Sequence, residues 1–366
     1  MRAIFEPAIS LKKNSSVTGL HEQAPYGLVS HVMIRGDFRR PGLQISPDVL
    51  RVLNSESLRF ELSPQSNSGG RRIALANWLA DPVHPLTARV IVNRIWQHHF
   101  GTGLSETPSD FGVMGSEPAN QQLLDWLANR FVENGWSMKQ LHRMIVTSAT
   151  YQQGSRLSDD ATTDETAAWN QALRKDPAVR LLSRFPRQRL QGEVIRDAML
   201  HAAGVLNPKA GGPGIRPPLP AELRNTLLKD QWTVTEDESE HNRRSIYVFA
   251  RRNLRFPIFD AFDRPAANGS CSRRTVTTTA PQALHLLNSE FSLKAAELIA
   301  RHICENYSDR KQQIGRSFER ILNRAPTADE LTSMNAFLDQ SPDEDSSGMT
   351  YLCLSLLNCN EFVFVD

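Results

Sequence analysis

The sequence predicts a mainly α fold, a multi-helix globular domain with a small β element near residues 28–34 and 245–250. Three observations carry this. Apolar residues recur at helical spacing through most of the chain beyond residue 71. Helix-start signatures stand ahead of three of those stripes: Ser137-x-x-Gln140, Thr279 followed by Pro281, and Thr327-x-x-Glu330. Only Leu28–Ile34 and Ser245–Ala250 (SIYVFA) have the β-branched and aromatic content of strands.

Taken in order, residues 1–70 read as an N-terminal extension with one strand and a Ser/Gly linker. The strand runs into Arg35-Gly36-Asp37, where glycine supplies a turn; the tripeptide matches a cell-adhesion motif, but three residues match too easily to carry that role. Ser63–Gly70 (SPQSNSGG) has nothing to bury and two glycines, as a mobile linker would. From Arg71, Ile73, Ala76 and Leu79 mark a helix stopped by Asp81-Pro82.

The next helix leads the stretch Pro85–Gly115. Ala88, Ile91, Val92 and Ile95 form one face and Arg89, Asn93, Trp96 and Gln97 a second, with Arg94 and His98 on a third. So little plain solvent face predicts packing on more than one side. Leu123, Leu124, Leu127 and Phe131 mark a third helix closed by Gly135, and Met138, Leu141, Ile145 and Ala149 give the fourth its buried stripe. Short connections make these antiparallel neighbours. Ser155–Thr166 reads as loop, and Gln188–Ala203 as a helix with Leu190, Val194, Ile195 and Ala198 inward. Val205–Pro220 and the acidic Glu236–Glu240 form a long excursion, a lid or loop. Helices resume at Pro281, with Leu284, Leu287, Phe291, Leu298 and Ile299, then Leu331, Met334 and Leu338, and finally Tyr351–Leu357 before the apolar tail Phe362–Val365.

Composition excludes more than it assigns. Hydrophobic residues at 40% and charged residues at 22% describe a globular chain, and no segment is apolar and long enough to span a bilayer. Net charge is only +2, which makes nucleic acid an unlikely partner for lack of a global field. Of 42 basic residues 34 are arginine, the side chain suited to forked contacts with carboxylate, phosphate or sulfate, although GC-rich coding produces the same bias. Glu6 and Pro7 interrupt the apolar run that a secretory signal would need. Cys271, Cys304, Cys353 and Cys359 form no C-x-x-C or C-x-x-C-H pair. No cofactor and no metal site is expected.

Candidate chemistry concentrates in three places. Adjacent His98 and His99 diverge by about 100° on a helix, so a shared metal would need His98 with Asp110 or His142; lining the helix C-terminus is the plainer role. Asp110, in a D-F-G without kinase companions, reads as a loop carboxylate holding an arginine. Glu193 and Asp197 at i, i+4 can present two carboxylates for acid and base roles, or form an ion-pair ladder with Arg189 and Arg196. The segment 251–279 gathers Arg252, Arg255, Asp260, Asp263, Arg264, Cys271, Arg273, Arg274 and Thr277–Thr279, which suits a salt-bridged core or a pocket for an anionic or sugar ligand. Cys271 as a nucleophile has no histidine readable beside it.

The runs RRIALANWLADPVHPLTARVIVNRIWQHHFGTGL, TPSDFGVMG, LLDWLANRFVENGWSMKQLHRMIVTSATYQQ, RRSIYVFARRNLRFPIFDAFDRP, TTTAPQALHLLNSEF and LLNCNEFVFVD strongly resemble a planctomycete-type family catalogued as domain of unknown function 1553. The resemblance spans nearly all of Arg71–Asp366 and implies a single family domain over 71–366, with helical lobes about 71–203 and 279–366 joined by a loop and strand segment, 204–278. It also implies a C-terminal position in larger exported proteins of the periplasm or envelope, often with a cytochrome-c-like module. This chain has no upstream domain or C-x-x-C-H, so it reads as a truncated or stand-alone C-terminal portion. The resemblance supplies no activity.

Two functions remain open on the sequence. One is a helical binding or structural module of an envelope system, taking a polysaccharide or another envelope protein through ligand-binding candidates Arg94, His98, Arg252, Arg264 and Arg273. The other is an enzyme on an anionic polysaccharide, with catalytic candidates Asp110, Glu193, Asp260 and Asp263.

Overall fold

The computed structural model describes residues 29–53, 60–62, 69–158, 160–225, 227, 231–340 and 347–365. The chain divides into two compact units, Met1–Arg94 with Asn120–Leu141, and Ile95–Ala119 with His142–Asp366. Among the described residues the fold is mainly helical, with two small antiparallel strand pairs. Among the described residues no helix is long and apolar enough to cross a membrane.

In the first unit β1 (Ser30–Met33) pairs with β2 (Pro41–Ile45), Ser30 opposite Ile45 and His31 opposite Gln44. The adhesion-like tripeptide lies in the reversal between them. Arg35 and Gly36 take left-handed φ of 55° and 75°, and Asp37 accepts the Arg39 amide at 3.0 Å. Leu28 and Ser63–Ser68 of the expected strand and linker lie outside the described residues. Gly69 and Gly70 are buried, and Gly70 at φ 69° precedes α1 (Arg71–Leu79). That helix turns Ala74 and Trp78 inward and leaves Ile73 and Leu79 exposed, one step off the expected face. Trp78 meets His84 edge-on at 4.4 Å. His84 Nδ1 accepts the amides of Leu86 (3.2 Å) and Thr87 (3.1 Å), and burial lowers its pKa toward the neutral, accepting form.

The helix so started, α2, covers Thr87–Phe100. Val92, Asn93, Ile95, Trp96 and Gln97 are all buried, so it packs on more than one side as its sequence predicts. Arg89 donates to Asp125 of α3 (Gln121–Glu133) at 2.6 Å, and Asn120 caps α3 by accepting the Leu123 amide. Leu124, Leu127 and Phe131 are buried, and Gly135 at φ 65° ends the run. In α4 (Met138–Val146) Leu141 and Ile145 are buried, but Met138 is exposed and Ala149 lies beyond the helix.

Past α4 the structure departs from the sequence expectation. Within the expected loop, α5 (Thr163–Lys175) opens on a complete capping box, Thr162 and Glu165 each accepting the other's amide. The expected Gln188–Ala203 helix divides: Gln188–Arg189 is β3, and only Gly192–Ala202 is helical, as α6. Its inward side chains are Ile195, Arg196 and Met199, with Val194 exposed. A Cβ on Gly192 would stand 2.9 Å from the Ile258 carbonyl, so only glycine lets that backbone approach.

The excursion carries two short helices, α7 (Ala221–Asn225) and α8 (Glu238–His241), before α9 (Pro257–Ala261). SIYVFA is no strand: Ser245–Tyr247 is a 3-10 turn, and Val248 makes one isolated bridge, to Ile215. Its partner is flanked by Pro213, Pro217 and Pro218, which cannot continue a ladder.

The core gathers α10 (Ala280–Asn288), α11 (Glu290–Asn306), α12 (Arg310–Leu322), α13 (Ala328–Asp339) and α14 (Ser347–Leu357) around α6 and α9. Ile299 and Ile303 of α11, Phe318 of α12, Leu352 of α14, Ile195 and Phe259 are all but inaccessible, and each contributes about 1.5–3 kcal/mol by burial. Thr327 forms the expected box with Glu330, and Thr279, expected as an N-cap, forms a box with Gln282. The tail closes as α15 (Asn360–Val363) and β4 (Phe364–Val365), whose Phe364 stands opposite Arg189 of β3.

Arg324 forks between Glu330 (2.6 and 2.7 Å) and Glu361 (2.8 and 3.1 Å). Chiefly through those Arg324 bonds, the Glu330 carboxyl is lowered to about 2. A depressed carboxyl stabilises fully above its unfolded value, 4.5, and the gain is lost as pH falls toward 2. Glu330→Gln should cost about 1 kcal/mol at pH 7, after allowance for partial exposure, and progressively less below pH 4.5 in urea titrations. A loss independent of pH would remove the ion pair as its cause.

Candidate functional site

The polar segment 251–279 folds around a cleft of about 580 Å³ in the second unit, lined among others by Arg255, Asp260, Asp263, Arg264, Cys271 and Arg273. Helix α9 buries Ile258 and Phe259, and Phe262 is buried just beyond its end, which leaves Asp260 on the outer side. Asp263 follows at φ 59°, a left-handed conformation that aspartate tolerates better than most residues.

That turn commits the Asp263 carboxylate. It accepts the Thr277 amide (2.9 Å) and hydroxyl (2.7 Å), Arg189 Nη2 (2.6 Å) and, at 3.5 Å, Gln282 Nε2. Burial pushes its pKa up, but the Thr277 bonds and Arg189 together outweigh burial and hold it below the usual range. The Arg189 side chain is only 5% exposed and lies over the Phe262 ring at 5.1 Å. Its Nε and Nη1 are buried without a hydrogen-bond partner among the described residues.

Glu193 sits in the first turn of α6, where a helix favours negative charge, and receives both ends of Arg274 at 2.8 and 3.2 Å. Arg264 Nε stands 3.8 Å away, its guanidinium over Phe259 at 5.2 Å. Burial raises the Glu193 pKa, but Arg274 and then Arg264 contribute to a net lowering. Asp260 pairs at 2.7 Å with Arg255, both exposed. Each of the three carboxylates therefore has a closely bonded arginine of its own; Arg264 is a second, more distant partner of Glu193, and Arg273 makes no ion pair among the described residues. Arg273 is exposed; its carbonyl accepts the Cys271 thiol at 3.1 Å. Cys271 is a free, exposed thiol with no histidine in the cleft lining.

Of the predicted residues, Asp260, Asp263, Arg264 and Arg273 meet at this cleft and Glu193 is tied to it through Arg264 and Arg274. Arg94 is exposed and belongs to the first unit; His98 on α2 and Arg252, both exposed, are absent from the lining. Among the described residues Asp110 pairs with no arginine. Its Oδ1 accepts the Gly112 amide at 2.8 Å within its own exposed turn, so the local bond satisfies it. His99, rather than His98, approaches His142 (Nε2 to Nδ1, 2.8 Å), and Tyr151 packs edge-on against His99. Burial, then the neighbouring histidines, lower the His99 pKa. Among the described residues no three histidine, cysteine or acidic side chains converge to hold a metal.

The expected ladder on α6 is also rearranged. Arg189 goes to Asp263, and Asp197 accepts the Ser245 amide at 2.7 Å with Arg244 at 3.6 Å. The sequence offers no spacing that pairs Arg189 with a carboxylate 74 residues away.

The model of a family described as PSD1, protein of unknown function (DUF1553), matches residues 71–338, most of the chain. No curated protein and no solved structure matches it.

Proposed function

This chain belongs to the DUF1553 family, and we propose that it is a helical binding module that takes an anionic ligand in the cleft formed by residues 255–275. One observation carries the reading: every carboxylate at the cleft has a closely bonded arginine of its own, Arg264 adds only a long 3.8 Å contact to Glu193, and Arg273 makes no ion pair among the described residues, which leaves Arg273, with Arg264 beside it, for a ligand. A forked guanidinium recognises carboxylate and sulfate groups. The ligand class we assign is an acidic polysaccharide, which fits the export that the family resemblance implies. An acidic segment of an envelope protein is the other outcome of the test.

The enzyme reading draws less support. General acid catalysis needs a carboxyl whose pKa is raised toward neutrality, whereas Glu193 and Asp263 are both held below their ordinary range. These carboxylates act as struts for the arginines.

Binding of polygalacturonate, followed by calorimetry, should weaken at least tenfold in Arg273→Gln and further in the double variant with Arg264→Gln, because each removes a charge-assisted contact of about 1.5–3 kcal/mol. Retained affinity in the double variant would refute the site. Equal affinity for a DNA oligonucleotide would favour a nonspecific polyanion surface instead.

A further inference from the structure

A second, more enclosed cavity of about 250 Å³ lies in the same unit and shares Arg273 with the first. Its apolar lining is Trp96, Phe100 and Leu104, each buried, facing Val179 and Leu182; Thr102, Glu106 and Arg180 add polar groups. At about 30 Å³ per water the space equals roughly eight waters, enough for one ring-sized group. The apolar side is fixed: Trp96 packs tilted against Phe100 at 4.4 Å between ring centres, and Phe100 packs against Tyr151 and Phe185.

The opposite wall is strained. Val179 and Leu182 both adopt left-handed φ, 55° and 53°, a conformation that for a β-branched residue is a genuine outlier. Such backbone persists only where its surroundings over-determine it. Asp176 does this: buried, it accepts the amides of Arg180 (2.8 Å), Leu181 (3.0 Å) and Ser183 (3.4 Å), while Arg184 donates to the Asp176 and Pro177 carbonyls at 3.1 Å. Across the opening Arg180 pairs with Glu106 at 2.7 Å, so its charge is already matched, and Arg273 is the cation left to a ligand.

We infer that this cavity seats a single ring bearing a carboxylate, the ring against Trp96 and the acid on Arg273. The inference rests on Arg273 binding anions as proposed above. Two sources share the chemistry, a uronate residue of a polysaccharide and a free aromatic acid.

The probes are acetate, benzoate and trigalacturonate, titrated calorimetrically into the full chain. At least one ring acid should bind tenfold or more tighter than acetate, and which one does so identifies the source. Ala178→Phe and, independently, Ala119→Phe fill the cavity from exposed wall positions. Both should reduce the ring acid to acetate-like affinity and leave acetate unchanged, with unaltered melting temperatures showing an intact fold. Arg273→Gln should weaken ring acid and acetate together. Ring acids no tighter than acetate, or undiminished affinity in both filled variants, would overturn the ring seat while acetate binding still upholds the cleft. Failure of acetate itself to bind would remove the cleft reading and the ring seat with it.

Discussion

Asp263→Ala is expected to destabilise the protein by about 3–5 kcal/mol, because it leaves the buried Arg189 guanidinium without its carboxylate. Arg189 cannot reach bulk water from a side chain that is 5% exposed, and its Nε and Nη1 are already without partners among the described residues. The Thr277 amide would lose its acceptor as well. Asp263→Asn should cost less, since asparagine tolerates φ 59° and still accepts a bond. Adding Arg189→Met to Asp263→Ala should recover part of the loss, the signature of an uncompensated charge rather than of lost packing. Guanidinium unfolding midpoints at constant slope measure all three. A loss below 1 kcal/mol in Asp263→Ala would mean that Arg189 is satisfied by solvent. The sign of the pH dependence also follows. A carboxyl held below its unfolded value stabilises above about pH 4, and the gain is lost as pH falls; Asp263→Asn should flatten that acid limb.

Arg196→Met is expected to cost a similar 3–5 kcal/mol for a different reason. Arg196 is inaccessible, donating to the carbonyls of His241 (2.7 Å) and Arg243 (3.0 Å) and to Ser245 Oγ (3.2 Å), and lying between the rings of Phe256 and Phe291. Burial lowers its pKa to about 10, which leaves it charged at neutral pH. Methionine fills the space but orphans three acceptors at once. Arg196→Lys should restore only part, because one ammonium cannot reproduce the fork. Amide exchange should localise the loss to residues 241–248, where the chain has no ladder of its own. Uniform loss across the second unit would contradict that assignment.

Local signals were legible in the sequence, and nonlocal ones were not. The capping residues of α10 and α13, the Gly135 stop and the multiply packed α2 all rest on neighbours within a few turns. Thr162-x-x-Glu165 was equally readable, but polar surroundings hid α5 because its helix has no fully buried side chain and so no apolar stripe. SIYVFA has strand composition without a strand partner, and its start is held instead by α6: Asp197 accepts the Ser245 amide and Arg196 donates to the Ser245 hydroxyl. The cluster 255–275 was visible as a concentration of arginine and aspartate. Its pairings were not, because Arg189 with Asp263 and Arg274 with Glu193 are joined across 74 and 81 residues by tertiary packing. That packing pairs Glu193 and Asp263 with Arg274 and Arg189, and Asp110 is not among the residues that line the cleft.

The most direct measurement is a crystal structure of the protein with trigalacturonate. A carboxylate resolved within hydrogen-bond distance of the Arg273 guanidinium, in the cleft that Arg264 also lines, is the predicted result. Ligand bound elsewhere, or Arg264 and Arg273 both turned onto protein acceptors in the ligand-bound crystal, would contradict it.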